Sequence, residues 1–412
     1  MSITIFQNAS IVDGASAVPR EGVNVLVEDG HIREVSDAPL RAKDARVIDL
    51  AGKVLMPGLI DCHVHVIASE ANLGRNALLP DSLVAAHASV IMRGMLMRGF
   101  TTVRDVGGAD FGLQQAVEEG LFEGPRLVIC GKALSQTGGH CDFRGRYDVR
   151  DRHAFDRKLG SLGRICDGLS EVRLAAREEI KAGAQFIKIM ANGGVASPTD
   201  PIAFMGFSRE EVTAIVEEAQ NAQTYVAAHL YTDEAIRRGV ECGVHSVEHA
   251  NLVTAETAKL MAEKGAFACP TLVTYEALKS EGANYGLPES SVAKIDDVRL
   301  AGLRSLEILH SAGVTMVYGS DLLGAMHRHQ SEEFVIRGRV LPAMDVIRSA
   351  TLDAARLCGM DGKIGCIAPG AYADLIVVDG NPLDDLALLT GQGRSMPAIM
   401  KEGRFVKNTL DA

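Results

Sequence analysis

Pro57-Gly-Leu-Ile-Asp-Cys-His63-Val-His65 is the stretch around which this 412-residue chain is organised. It has the apolar lead of a short strand and closes on two histidines one residue apart. Side chains alternate along a strand, so His63 and His65 share one side while Cys62 and Val64 face the other. Two imidazoles on one side suit zinc or a similar borderline cation, which takes neutral histidine nitrogen as a ligand. A pair of hydrogen-bonded structural histidines is the competing reading of the motif by itself.

Downstream, short apolar runs alternate with longer helical segments, the pattern of βαβ units and a parallel sheet. Strand candidates lie at 59–65, 101–107, 126–131, 186–190, 224–230, 246–250, 267–272 and 315–320. Among the helical segments, 208–222 opens on Ser208-Arg-Glu-Glu211, a capping box, and sets Val212, Ile215, Val216 and Ala219 on one face. Eight such units predict an α/β fold, a (β/α)8 TIM barrel over residues 58–368, with its chemistry at the C-terminal ends of the strands.

The flanks have a different pattern. Ile3–Phe6, Ser10–Val12, Val23–Glu28 and Ile32–Val35 read as strands parted by Asp13-Gly14 and Asp29-Gly30, and 373–378 and 398–406 have strand composition with a glycine turn. Neither end can bury both faces alone, which predicts a small β-sandwich domain formed by residues 1–57 and 369–412 together.

Four more residues fall at or just after the ends of predicted barrel strands. They are Lys188 in Phe-Ile-Lys-Ile-Met, His229 in Val-Ala-Ala-His-Leu, His249 in Ser-Val-Glu-His-Ala and Asp321 in Val-Tyr-Gly-Ser-Asp. With His63 and His65 they place four histidines, one lysine and one aspartate on a single rim. On these residues, and on the tail Gly365-Cys-Ile-Ala-Pro-Gly370-Ala-Tyr-Ala-Asp374-Leu-Ile-Val, the chain resembles the amidohydrolase superfamily. Within it the chain looks like the imidazolonepropionase-related group that includes bacterial Xaa-Pro dipeptidases (prolidases) and N-acyl-amino-acid hydrolases.

The resemblance implies two divalent metal ions, with zinc as first choice. His63, His65 and Asp321 would hold one, His229 and His249 the other, and Lys188 would bridge them. An ammonium has only donors and repels a cation, so a bridging lysine requires carboxylation to a carbamate; a lysine closing a salt bridge is the alternative. Two such ions can share a hydroxide that attacks an amide, with Asp321 as the catalytic proton shuttle.

Other residues bear on the substrate. His140, in Gly138-Gly139-His140-Cys141, is assigned through the resemblance to catalysis and substrate binding, facing the oxyanion, against a surface-loop alternative. Tyr231 follows His229 by two and shares its direction, so its hydroxyl is a candidate donor to a substrate carboxylate, packing at the rim being the alternative. Pro270-Thr-Leu-Val-Thr-Tyr275 reads as an apolar loop suited to proline or a small hydrophobic side chain, unless Glu276 or Glu281 folds back into the pocket. His31, His87 and His310 read as packing or surface residues and His245 precedes its strand, whereas His327, Arg328 and His329 follow the eighth strand and stand as reserve substrate contacts.

A net charge of −11 argues against nucleic acid or an anionic membrane as partner. The N-terminal stretch has no signal-like apolar run, no segment is long and apolar enough to span a bilayer, and the eight scattered cysteines contain no C-x-x-C pair. A cytoplasmic homo-oligomer with reduced thiols is expected. The leading function is hydrolysis of dipeptides or N-acyl-L-amino acids with a free C-terminal carboxylate, Xaa-Pro first. Cyclic-amide or imidazolone hydrolysis, and a non-catalytic barrel scaffold, are the alternatives.

Overall fold

A computed structural model describes residues 3–410; the outermost residues of both terminal segments, 1–2 and 411–412, lie outside it. The chain is mixed α/β with parallel sheets. Strands Leu59–Val64, Phe100–Asp105 and Arg126–Ile129 pair in parallel, and a second parallel sheet orders Gly163–Ile165, Ala133–Ser135, Ile187–Met190, Val226–Thr232, Ser246–Leu252 and Phe267–Cys269. Leu59–Val64 is buried at every residue, as a parallel strand covered on both faces must be.

The predicted strand at 315–320 is present only as a parallel bridge between Met316 and Ala268. Its backbone is nonetheless bonded on both sides: Val317 N–H donates to Ala268 O at 2.8 Å, and Cys62 N–H donates to Tyr318 O at 2.8 Å. Asp61 reinforces this seam, its fully buried carboxylate accepting from Ser320 Oγ at 2.6 Å and Gln330 Nε2 at 2.9 Å. The strands Ala133–Ser135 and Gly163–Ile165 were not anticipated; each has three residues, too short to show a period.

Strands from both ends of the chain meet in one eight-stranded sheet, in which Leu375–Val378 lies antiparallel to Val54–Pro57. Its two hairpins turn on Asp29-Gly30 and Glu402-Gly403, with φ of 49° and 81° and of 48° and 74°. Left-handed backbone at both central residues matches the twist of a two-residue hairpin, which is why glycine stands second in each. Phe6, Val25, Ile32, Leu55, Leu375 and Met400 form part of this sheet's own core. Val54–Pro57 runs through Gly58 directly into Leu59–Val64, so the terminal sheet and the first parallel strand are one continuous stretch of chain.

Helix Arg209–Asn221 begins as expected, with Glu211 N–H donating to Ser208 Oγ at 3.2 Å and Ser208 N–H to Glu211 Oε2 at 2.7 Å. By contrast, the segment read as a loop after Pro270 is helix Leu272–Glu281. No helix among the described residues is long and apolar enough to cross a membrane. All eight cysteines are free thiols.

Candidate active site

His63 and His65 emerge side by side from the first parallel strand, their ring centroids 5.5 Å apart. Asp321 N–H donates to His63 O at 2.8 Å, which brings Asp321 Oδ1 to 3.4 Å from His63 Nε2 and 3.3 Å from His65 Nε2. The remaining ring nitrogens are engaged behind. His65 Nδ1 lies 2.9 Å from Gly107 O, and because a carbonyl only accepts, that nitrogen carries the proton and Nε2 is left with its lone pair. His63 Nδ1 lies 2.8 Å from Glu248 Oε2 with the same consequence.

Glu248 is fully buried and accepts from Arg104 at 2.7 Å and from Ser246 Oγ at 2.6 Å. Burial alone would raise its carboxyl, but Arg104 and His63 outweigh burial and hold it well below the ordinary range. The same contest ends the same way at Asp321, where His63 and His65 prevail. His63 itself is raised, burial lowering it and Asp321 more than compensating.

On the facing strands, His229 Nε2 lies 3.2 Å from Gly193 O, so Nδ1 is the nitrogen with the free lone pair. His249 packs against both His229 and His63, at 4.6 and 4.8 Å between centroids. Burial, then the neighbouring histidines and Lys188, push His229 and His249 well below the usual imidazole range, leaving both neutral. His249 and Asp321 have φ of 76° and 51°, left-handed backbone that costs of order 1–3 kcal/mol in a residue with a side chain and collects at functional sites. Ligand atoms of His63, His249 and Asp321 all lie within 4.8 Å of one another, a grouping able to hold a metal ion.

Lys188 is only 1% exposed. Among the described residues no carboxylate lies within ion-pair distance of it, although it stands among His63, His229, His249 and Glu248. Lys188, His63, His229 and His249, with His65, Asp321, His140 and Tyr231, line a cavity walled otherwise by Leu73, Phe143, Leu162, Met190, Leu278 and Leu323.

The sequence pattern of the amidohydrolase family matches residues 54–406. The chain belongs to that family. A prolidase solved in complex with N-methylphosphonate-L-proline is 52% identical to this amidohydrolase, covers 99% of its chain and 100% of its own, and superposes with a TM-score of 0.97. A Xaa-Pro dipeptidase with bound methionine in its active site is 29% identical over 99% and 100% of the two chains, with a TM-score of 0.87. The ochratoxinase of Aspergillus niger is 30% identical over 420 residues, 98% of this chain and 87% of the relative. The family and the kinship with Xaa-Pro dipeptidases read from the sequence are borne out.

All eight residues singled out in the sequence of this amidohydrolase, His63, His65, His140, Lys188, His229, Tyr231, His249 and Asp321, line that one cavity. The reserve contacts do not. His327 is buried with Nε2 donating to Ala68 O at 3.0 Å, while Arg328 and His329 both bind Glu281. Glu276 is paired with Arg299, so neither acid supplies the cavity.

Sequence reasoning passed over Arg104, Glu248 and Tyr275. Strand alternation sets Glu248 and His249 on opposite faces, yet both contact His63 because the left-handed backbone at His249 breaks the alternation. Tyr275, on the unanticipated helix, lies 2.9 Å from Tyr231 Oη and 3.1 Å from His249 Nδ1.

Proposed function

We propose that this amidohydrolase cleaves the amide bond of dipeptides or N-acyl-L-amino acids that end in a free carboxylate, Xaa-Pro first, with two divalent metal ions, zinc the first choice. The observation that carries this reading is Lys188, a buried lysine without an acidic partner amid imidazoles whose lone pairs converge. A buried ammonium in that position is unfavourable, whereas reaction of the amine with CO2, releasing a proton, gives a carbamate with oxygens to offer two cations. The donor set fits: His63 and His65 present Nε2, His229 presents Nδ1, and Asp321 adds a carboxylate. What a bound pair of such cations supplies is Lewis acidity, which makes water nucleophilic near neutral pH and polarises the carbonyl under attack.

The chain's own groups supply the rest. Asp321, held ionised, takes the proton of the attacking water and returns it to the leaving nitrogen, yielding an acid and an amine. His140 faces the oxygen that gains charge. If His249 Nδ1 carries its proton and donates to Thr271 Oγ1 at 2.8 Å, the Tyr275 hydroxyl donates to Tyr231, and the Tyr231 hydrogen is left for the substrate carboxylate. The same tautomer that frees His249 Nε2 therefore frees Tyr231 as a donor. The apolar walls, together with ion-paired Glu276 and Glu281 outside the cavity, favour proline or a small hydrophobic residue over lysine or arginine.

The bonds on both sides of 315–320 support a closed (β/α)8 barrel over 58–368, and the shared terminal sheet supports a small domain of 1–57 and 369–412 folded as a sandwich. A cytoplasmic homo-oligomer remains our reading of its setting. The test is a panel of dipeptides and N-acetyl amino acids offered to the zinc-loaded enzyme and read by free amino-acid release. Release is expected from N-acetyl-L-proline and Xaa-Pro and not from the matching amides; no release from any carboxylate-terminated substrate would contradict the proposal.

A further inference from the structure

Gly193 and Gly194 follow the Lys188 strand and open a segment that packs on the cavity. A Cβ on Gly194 would lie 1.8 Å from His140 Cε1 and Nδ1, so the imidazole sits directly against the backbone here and only glycine admits it. The ring also stacks on His229, centroids 4.2 Å apart and planes at 21°. These contacts fix its plane but not which nitrogen faces the cavity.

That choice is made by the same segment. His140 Nδ1 lies 2.7 Å from Ser197 Oγ and 3.6 Å from Asp200 Oδ2. Ser197 is fully buried and Asp200 is 2% exposed. Asp200 Oδ2 accepts from Gly194 N–H at 2.9 Å, whereas its Oδ1 is buried without a hydrogen-bond partner. Leaving a buried acceptor unsatisfied costs about 1–3 kcal/mol, which needs a local reason. Lys294, reaching in from the chain before helix Ile295–Arg299, donates to the carbonyls of Gly194, of Ser197 at 2.8 Å and of Asp200 at 3.3 Å. It binds the backbone of the segment at three points and leaves the Asp200 carboxylate to His140.

We infer that Ser197 and Asp200 are positioning residues for His140, engaging Nδ1 so that Nε2 faces the oxygen that gains charge, with Lys294 locking the segment that carries them. The inference rests on the amide-hydrolase reading for its catalytic consequence and on geometry alone for the orientation. A serine hydroxyl both donates and accepts, so Ser197 serves the ring with or without a proton on Nδ1.

Ser197→Ala should lower kcat about 3- to 10-fold, the worth of one neutral hydrogen bond, with KM within twofold and wild-type metal content. Ser197→Thr, which restores the hydroxyl, should recover most of the loss. Asp200→Asn keeps the acceptor for Gly194 but removes the charge and should cost more, about 10- to 100-fold. A phosphonamidate mimic of N-acetyl-L-proline, titrated calorimetrically, should weaken in step with kcat while free proline binds as before.

The His140 imidazole ¹⁵N signals, assigned by their loss in His140→Asn, should move in Ser197→Ala. They need no substrate, so they read the orientation even if no panel member is cleaved. Unmoved signals would overturn the inference. So would moved signals beside an unchanged kcat, or a loss that Ser197→Thr fails to recover.

Discussion

Arg104 and Glu248 lie 2.7 Å apart with neither side chain exposed, and so do Arg337 and Glu333. Around the second pair every other partner belongs to the scaffold. Arg337 donates to Val317 O at 3.0 Å and Pro270 O at 2.5 Å, and Glu333 accepts from Val273 N–H at 2.7 Å. It ties the irregular eighth segment to the start of helix Leu272–Glu281. Glu248 instead takes His63 as its third partner. The carboxyls differ accordingly: burial wins at Glu333, which is raised, and loses at Glu248, which is held low. One chemical unit thus serves two ends, and what distinguishes them is that the Arg104–Glu248 pair reaches an imidazole facing the cavity, whereas the Arg337–Glu333 pair does not.

Asp321 is the group that the imidazoles of His63 and His65 both face. Asp321→Asn keeps the shape of the site and removes the proposed proton shuttle, so kcat should fall by about 10²- to 10⁴-fold with little change in Tm. Survival of kcat within about tenfold, ~1.4 kcal/mol of barrier, would remove Asp321 from that role.

Replacing both members of each pair is the next largest effect. Removing one partner would strand a buried charge at a cost of about 3–5 kcal/mol, but an apolar pair of similar volume is often neutral in stability. Arg104→Met with Glu248→Leu should therefore fold yet bind zinc about 10- to 100-fold more weakly, as losing a ligand's outer support does. Arg337→Met with Glu333→Leu should leave kcat and zinc affinity as in the wild type, any effect being confined to Tm. Equal effects on zinc from the two double variants would mean that the Arg104–Glu248 pair supports the fold and not the metal site in particular.

Tyr231→Phe should lower kcat/KM by about one to two powers of ten on N-acyl-proline, the worth of a charge-assisted hydrogen bond, and do little on the prolinamide. Equal losses on acid and amide would assign Tyr231 to the site's support rather than to the carboxylate.

The smallest effect concerns His327, which is buried beside the loop that follows His65 and is pushed by that burial down to about 4. Between that value and the ordinary imidazole range the unfolded chain takes up a proton that the native state refuses, so stability falls as pH drops through this window and is unaffected above it. His327→Gln should remove about 2 kcal/mol of the loss otherwise incurred by pH 5, seen as a smaller fall in Tm between pH 7 and pH 5. An identical acid limb in the variant would show that His327 is protonated in the native state.

Much of the candidate site was legible because its residues sit at the ends of strands in a repeating pattern. His63, His65, Lys188, His229, His249 and Asp321 needed only strand alternation and the rule that such folds react at their C-terminal rim. What was not legible depends on departures from regular geometry or on distant pairing. The partnership of Arg104 with Glu248 spans 144 residues and leaves no local trace. Glu248 was passed over because strand alternation turns it away from His249, and only the left-handed backbone at His249 lets both reach His63. Tyr275 was placed in a loop because Pro270-Thr-Leu-Val-Thr shows no helical period, and Thr271, the residue before the helix, makes no side-chain cap there. Ser197 and Asp200 lie in an irregular segment whose shape comes from two glycines and a lysine about a hundred residues on.

Elemental analysis of the purified, active enzyme tests whether Lys188 joins two metal ions in one catalytic site. Close to two equivalents of divalent metal per chain are expected in the wild type. In Lys188→Ala a severe loss of metal and activity together is expected. One equivalent in a fully active wild type, or Lys188→Ala with full metal content and wild-type kcat, would contradict that bridging role.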